Sequence, residues 1–206
     1  MEYGLDISSS DGKVDFNTIK ENGNSFVILK AGSGLNNVDP LFEKNYILAR
    51  KAGLKIGAYW YSNASTSSQA IIEAQACYKI IEGKLFEYPI YIHIDDNRHL
   101  TVNQSDIASL SLICENFCMY LEANGYFTGV YASKKLFDTE LKNIREIFDK
   151  WVANYDEDYY SKNNRTAYKI FNFNKNYYIN GKYYSRNIVY DFDYPLVIKK
   201  AHLNGY

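Results

Sequence analysis

The chain has 206 residues, a length that suits one well-packed domain and leaves little room for a second. Its 23 basic and 24 acidic residues give a formal net charge of −1, so no charge excess favours binding to nucleic acid or to an anionic membrane. The apolar fraction of 47% is that of a globular protein, and the aromatic fraction of 17%, mostly tyrosine, suits both packed cores and surfaces that stack on sugars.

Short runs rich in Val, Ile, Tyr and Phe recur along the chain and predict eight strands. Helical patterns separate several of these runs; the second pattern, for example, is opened by Asp39-Pro40 and closed by Gly53. The predicted strands are residues 3–7, 25–30, 55–61, 89–95, 127–133, 150–154, 167–173 and 187–192, and the predicted helices are residues 16–21, 41–52, 67–81, 104–123 and 134–150.

The alternation of strands and helices predicts parallel strands joined by helical crossovers. Eight such strands indicate an α/β fold, an irregular (β/α)8-like barrel of the TIM-barrel kind, as a single domain over residues 1–206. The late helices are predicted to be missing, because residues 155–166 are polar and residues 174–186 have the Tyr, Asn and Gly content of a hairpin. An open doubly wound sheet is the alternative architecture.

The three cysteines Cys77, Cys114 and Cys118 form no CxxC motif and no even framework, so we expect buried free thiols. No apolar run approaches the ~18 residues of a membrane span, so no membrane partner is expected. The first residues lack the basic start and apolar segment of a signal peptide, and we expect synthesis in the cytoplasm.

In a parallel barrel, chemistry collects at the carboxyl ends of the strands, and here those ends are acidic, aromatic and amide-rich. Acids among aromatic rings describe a glycosidase cleft, where one acid protonates the leaving oxygen and others stabilise positive charge on the sugar. The same acids with His93 could bind a metal, but no second histidine stands near them in sequence, and we predict no metal and no other cofactor. The catalytic candidates are Asp6, His93, Asp95 and Asp191, and the substrate-binding candidates are Lys30, Tyr59, Tyr61, Tyr131, Trp151, Asn154 and Asn172.

At these positions the sequence resembles glycoside hydrolase family 25, the bacterial and phage lysozymes (N-acetylmuramidases). The start GLDISSSDGKVDF is similar to the family's GIDVSxxQGxIDW, and FVILKAGSG with DPLFEKNYILARKAGLKIGAYWYS is similar to its FxxxRxxxG and DxxFxxNxxxAxxAGLxxGxYHF blocks. PIYIHIDD stands where the family has P-x-x-x-D-x-E, and GYFTGVYAS, WVANY, IFNF and IVYDFD follow in the family's order. The resemblance extends from about residue 3 to residue 194.

The resemblance implies an irregular β/α barrel that cleaves the β-1,4 bond between N-acetylmuramic acid and N-acetylglucosamine, with peptidoglycan strands as partner and the cell wall or the cell exterior as place of action. By the same resemblance, Asp95 stands at the position of the proposed general acid and His93 at that of an assisting aspartate, while Asp6 and Asp191 match acidic positions of the cleft. A structural ion pair with Lys30 is the alternative for Asp6.

The sequence departs from the family pattern where the chemistry is done, because the D-x-E pair reads His93-Ile94-Asp95. Aspartate is one methylene shorter than glutamate, and such misplacement of an acid can cost about 10²-fold in rate. A cationic His93 would favour the ionised form of Asp95, the wrong state for an acid. The adjacent Asp96 is predicted to point to the opposite face of the strand, unless a bulge brings it to the same side.

Three hypotheses therefore stand side by side. The protein is a muramidase with weakened activity, or an inactive member that binds peptidoglycan, another glycan or a protein partner. A barrel enzyme of different chemistry, with His93 as a base and Asp191 as its partner, is the third.

Overall fold

Nine strands form one sheet in a computed structural model of the protein, which describes residues 1–96, 107–155, 167–190 and 192–206. Most of them lie close to where alternation of apolar residues predicts a strand, and the strand over residues 55–61 agrees at both ends. The strands are β1 (Glu2–Ile7), β2 (Phe26–Ser33), β3 (Asn37–Val38), β4 (Lys55–Tyr61), β5 (Ile90–His93), β6 (Thr128–Ser133), β7 (Asp149–Ala153), β8 (Ile170–Ile179) and β9 (Lys182–Val189).

Eight of these strands close into a barrel, in the order β1, β2, β4, β5, β6, β7, β8, β9 and back to β1. Neighbouring strands are parallel from β1 to β8, while the short β3 pairs only with the end of β2. The pairing of β1 with both β2 and β9 closes the sheet, which confirms the barrel and excludes the open doubly wound alternative.

Helices cover the outside of the barrel, and several of them begin at a side chain that caps the first turn. The Asp15 carboxylate accepts hydrogen bonds from two backbone N–H groups at the start of the first helix, and the Thr66 hydroxyl accepts one at the start of the third. None of the described helices is long and apolar enough to span a membrane. The helices are α1 (Phe16–Glu21), α2 (Phe42–Lys51), α3 (Ser67–Ile81), α4 (Ile107–Ala123), α5 (Lys134–Asp138) and α6 (Tyr194–Lys200).

The helix predicted over residues 134–150 is wrong in its extent, because α5 ends at Asp138 and turns follow. Leu141, Ile144 and Phe148 have helical spacing and are all buried, so the apolar pattern is satisfied. The backbone between them forms successive turns instead of a continuous helix. In one of these turns the Ile144 N–H donates to the Leu141 carbonyl. Apolar spacing alone does not distinguish these two paths.

The last strand is antiparallel to both of its neighbours, whereas the sequence predicts a parallel strand. β8 and β9 form an antiparallel hairpin whose two turn residues, Asn180 and Gly181, both have positive φ, as a tight hairpin turn requires. The hairpin itself is confirmed, but the strand predicted over residues 187–192 is the end of β9, and Val189 pairs with the first residues of β1 and β8. The end of β9 therefore lies at the amino-terminal side of the other strands.

Two layers of apolar side chains hold the structure together. One lies between the strands and the helices and includes the three cysteines, which are buried free thiols as predicted. The other fills the barrel interior, and its members Phe26, Tyr88 and Trp151 show that the interior is rich in aromatic rings. Much of the aromatic excess of the sequence therefore serves packing.

A buried carboxylate closes the amino-terminal end of the barrel. The hydroxyls of Tyr91 and Tyr194 both donate to Oδ2 of Asp149, at 2.5 and 2.6 Å. Burial raises the pKa of the Asp149 carboxyl, against the effect of these two hydrogen bonds. Tyr194 begins α6, so the bond fixes that helix across the end of the barrel.

We expect Tyr194→Phe to lower the free energy of unfolding by about 1–3 kcal/mol, since a buried carboxylate oxygen loses one of two donors. Tyr78→Phe is the matched control, because its hydroxyl donates to Glu82 on the exposed side of α3 and its loss should cost no more than about 0.5 kcal/mol. Urea unfolding of both variants measures the difference, and equal losses would contradict a structural role for the Asp149 cluster.

Candidate functional site

An open groove of about 650 Å³ lies at the carboxyl end of the barrel strands. Its walls come from the segments that follow β5, β6 and β7 and from the hairpin of β8 and β9. The acidic, aromatic and amide side chains that line it are His93, Asp95, Asp96, Tyr131, Asn154 and Tyr155, and the lining also includes Ser185 and the basic Lys134, Lys135 and Lys175. Of the predicted site residues, the groove thus brings together His93, Asp95, Tyr131 and Asn154.

The end of β5 places two acids on the groove wall. The strand stops at His93, two residues before the predicted end, so the alternation of faces does not continue into the next residues. Asp95 is half-buried and Asp96 is exposed, and both line the groove. Asp96 Oδ1 accepts a 2.5 Å hydrogen bond from the Ser133 hydroxyl. Sequence reasoning assigned Asp96 to the opposite face, and the shorter strand corrects that assignment.

His93 lies among aromatic rings. Tyr131 stacks on its imidazole with ring centroids 4.3 Å apart, and Tyr61 and Tyr59 approach edge-on at 5.2 and 5.8 Å. Burial lowers the pKa of His93 to about 4, against the attraction of the Asp95 charge and together with repulsion from Lys30. The imidazole is therefore neutral at neutral pH and adds no positive charge beside Asp95. Its Nδ1 is buried and has no hydrogen-bond partner among the described residues.

Trp151 supports the groove floor from below. Its ring stacks on Tyr131 with centroids 3.7 Å apart, and its Nε1–H donates to Asn187 Oδ1 at 2.9 Å. The side chain is completely buried, so it has no surface to offer a sugar. This corrects the expectation of a substrate contact: Trp151 holds Tyr131, and Tyr131 reaches the groove.

Asp6 lies beside the floor and is held by amides and a hydroxyl. Its Oδ1 accepts from Asn187 Nδ2 at 2.8 Å and from Asn172 Nδ2 at 3.2 Å, and Ser185 also bonds to it. Burial raises the pKa of the Asp6 carboxyl to about 6, although the bonds from Asn187 and Ser185 act in the opposite direction. The side chain is partly exposed, and Ser185 connects it to the groove.

Asn172 was expected to contact substrate and is instead completely buried. Its Nδ2 lies within bonding distance of Asp6, of the Tyr131 hydroxyl at 3.1 Å and of the Ser185 hydroxyl at 2.7 Å. The amide therefore positions the residues around it, and this is a correction of the predicted role.

The remaining candidates lie around the floor. The Lys30 ammonium is 5.6 Å from the centroid of the Tyr61 ring, and within the described part of the chain no ion pair joins it to Asp6. Tyr59 is partly exposed, and burial together with the charge of Asp6 raises its pKa well above the ordinary value. Asp191 lies outside the described residues, so its catalytic role stays a prediction.

Sequence reasoning missed two residues of β9. Ser185 and Asn187 are polar residues two positions apart, so they share the face of the strand that points into the barrel. Both contact Asp6 because Ser185 pairs with Asp6 in the sheet. The run Ser185-Arg186-Asn187 shows no alternation of polar and apolar residues, so the pattern gives no signal for these two, and the predicted strand begins only at residue 187.

Comparisons with known proteins agree with this geometry. A family model described as glycosyl hydrolases family 25 matches residues 5–182. The autolytic lysozyme of Clostridium acetobutylicum is 32% identical over 152 residues, which cover 74% of this chain and 44% of that protein. The chain thus spans less than half the length of this relative.

Solved structures show the same fold. The modular autolysin LytC from Streptococcus pneumoniae superposes with a TM-score of 0.79 at 23% identity, over 92% of this chain and 46% of that chain. The bacterial lysozyme from Streptomyces coelicolor superposes with a TM-score of 0.76 at 18% identity, over 100% of this chain and 98% of that chain.

The raised pKa of Asp6 gives a test of the site by pH. A carboxyl whose pKa is about 6 in the folded state and 3.8 ordinarily contributes stability below pH about 4, and this contribution is lost as the pH rises through about 6. We expect Asp6→Asn to remove this loss, so that the stability of the variant relative to the wild type rises by up to about 3 kcal/mol between pH 4 and pH 7, at about 1.4 kcal/mol per pKa unit. Urea unfolding from pH 4 to pH 7 measures the gap, and parallel curves for the two proteins would contradict the assignment.

Proposed function

The chain belongs to glycosyl hydrolase family 25, and on this premise we propose that it hydrolyses the β-1,4 bond between N-acetylmuramic acid and N-acetylglucosamine in peptidoglycan. Asp95 is the proton donor of this proposal. The observation that carries it is the position of Asp95 on the wall of the groove, next to a histidine that is neutral at neutral pH. A neutral histidine adds no positive charge of its own that would hold the acid in the ionised form.

The reaction begins with transfer of the Asp95 proton to the glycosidic oxygen. The bond from C1 to that oxygen breaks, the electron pair goes to the leaving sugar, and positive charge develops on the ring that remains. A water molecule then adds to C1 and gives up a proton, and Asp95 recovers one, so the residue ends in its original state. Asp95 must reach the oxygen to within about 2.6–3.2 Å or act through one water.

Asp6 supplies negative charge near the reacting sugar. Its carboxyl ionises above pH about 6, and its partners Asn187 and Asn172 fix its orientation before substrate arrives. A charge held in place in this way stabilises positive charge in the transition state without reorganisation. The Tyr131 ring is stacked between His93 and Trp151 and is 8% exposed, so it offers the sugar its edge and not its face.

Peptidoglycan glycan strands as the substrate and the cell wall as the place of action are part of the proposal. The names of relatives support them, since these include an autolytic lysozyme. The autolysin LytC, whose barrel this chain resembles, has also been solved in complex with a synthetic peptidoglycan ligand.

An inactive glycan-binding or protein-binding member is the second candidate. One observation favours it: the acid is an aspartate, and the position next to it in the family's motif holds the uncharged His93, whereas the aromatic floor is complete. A groove that keeps its binding surface but has a proton donor one methylene shorter would bind a glycan strand more readily than it cleaves one.

Asp95→Asn is expected to lower the release of reducing ends from purified peptidoglycan by about 10²-fold or more, because general acid catalysis contributes about 10²–10⁴-fold. Asp96→Asn is the matched control, since it removes a second carboxylate on the same groove wall, and it should change the rate only a few-fold. An unchanged rate in Asp95→Asn would show that Asp95 is not the acid.

The double variant His93→Asp/Asp95→Glu restores the length of the acid and places a carboxylate beside it. We expect it to release reducing ends faster than the wild type, by about 10²-fold if misplacement is the main defect. A silent wild type with an active double variant would favour the inactive member, and retention of the wild type on insoluble peptidoglycan would then identify a glycan ligand. Silence and no retention together would overturn the proposed substrate.

A further inference from the structure

The hairpin of β8 and β9 extends beyond the rim of the barrel. Among the described residues, β8 pairs with β7 as far as Asn172, and its later residues pair with β9. We call this extension, residues 174–185, the hairpin arm. At its base, Lys175 and Ser185 line the groove, so the arm continues the groove wall away from the barrel.

The register shows which face of the arm points along the groove. β9 is regular from end to end of its pairing with β1, and the irregular spacing of the hairpin lies in β8, between Asn174 and Tyr177. Tyr183 stands two residues from Ser185 on the regular strand and therefore shares its face. Tyr178 pairs directly with Tyr183, so both tyrosines lie on the groove side of the arm.

These two tyrosines form an exposed aromatic pair. Tyr178 is 58% exposed and Tyr183 is 66% exposed, and their ring centroids are 5.2 Å apart. On the opposite face of the arm, Tyr184 is buried and Tyr177 packs against the core. The exposure is thus confined to the face that continues the groove.

The arm is braced on its other face. The Arg186 guanidinium lies between the rings of Tyr3 and Tyr177, at 4.2 and 4.0 Å from their centroids. Near the tip, Lys182 Nζ donates to the backbone carbonyls of Asp11 and Lys13, both at 2.6 Å. Because these contacts hold the arm in place, little order has to be gained when its tyrosines bind a ligand.

We propose that Tyr178 and Tyr183 form a distal sugar-binding site, which takes a ring of the glycan strand beyond the groove. The inference rests on the proposed function in one respect, that the groove holds a glycan strand. Two residues of a β-strand span roughly 7 Å, so the tyrosine pair lies about that far past Ser185, along the path that a glycan strand leaving the groove would follow. An apolar ring with a hydroxyl tip suits a sugar, which presents C–H groups on its face and hydroxyls at its edge.

A distal site of this kind makes the affinity depend on the length of the glycan strand and takes no part in bond cleavage. Binding energy from parts of the substrate that do not react can be used to hold the reacting bond in position. Long strands that reach the pair should therefore bind more tightly than short strands that fill only the groove.

The test measures affinity for peptidoglycan glycan strands of two lengths by titration calorimetry, with all proteins carrying Asp95→Asn so that no strand is cut. In this background the chain with both tyrosines should bind long strands about ten-fold more tightly than short ones. Tyr178→Ala/Tyr183→Ala should lose that advantage and keep its affinity for short strands. Tyr178→Phe/Tyr183→Phe, which keeps both rings, should retain most of the advantage.

Ile72→Ala is the control for removal of an exposed apolar side chain, on α3 and away from the groove. The distal site would be overturned if the parent and the double alanine variant bound long glycan strands with equal affinity. It would also be overturned if the parent were a dimer and the double alanine variant a monomer, because the tyrosines would then form a contact between two copies of the chain. If short strands bind in the groove in either of these cases, the proposed function stands while the distal site fails. If the parent binds neither length, the distal site and the glycan groove fail together.

Discussion

The side-chain amide of Asn187 connects the carboxylate of Asp6 to the aromatic stack of Trp151 and Tyr131. Its Nδ2 donates to Asp6, and its Oδ1 accepts from the indole of Trp151, which stacks under Tyr131. Asn187 and Trp151 are completely buried, so each needs its partner to avoid the cost of an unsatisfied buried group. One amide therefore fixes the position of a carboxylate and of an aromatic stack at the same time. It can do so because Asn187 lies on the face of β9 that points into the barrel.

The site combines groups whose protonation is set by burial rather than by ion pairs. Burial brings the pKa of Asp6 up to about 6, against its hydrogen bonds, and that of His93 down to about 4, against the charge of Asp95. At neutral pH Asp6 is therefore mostly ionised, while His93 is neutral. Such an arrangement costs stability and is therefore expected where chemistry or ligand binding maintains it. In the proposed reaction this leaves Asp95 as the member of the site that exchanges a proton with substrate.

Much of the fold could be predicted from the sequence, because apolar alternation and helix-capping residues are local signals. The strand over residues 55–61 and the helix over residues 67–81 agree at both ends. Local signals do not carry strand direction, and the reversal of β9 left Ser185 and Asn187 unrecognised. The burial of Trp151 depends on contacts with residues far away in sequence, so composition could suggest a sugar platform but not exclude one. Asp95 and His93 were candidates because they stand near the end of a predicted strand, and both line the groove, whereas the place of Asp96 depended on where β5 ends.

Closure of the barrel by its first and last strands also has a consequence for folding. Asp6 and Asn187 are 181 positions apart, and their bond can form only when β9 has inserted beside β1. Closing so long a loop costs conformational entropy. Without the pairing of β1 and β9, the carboxylate of Asp6 and the indole of Trp151 would lack their common partner. The contact that closes the barrel and the contact that organises the site are therefore made by the same two strands.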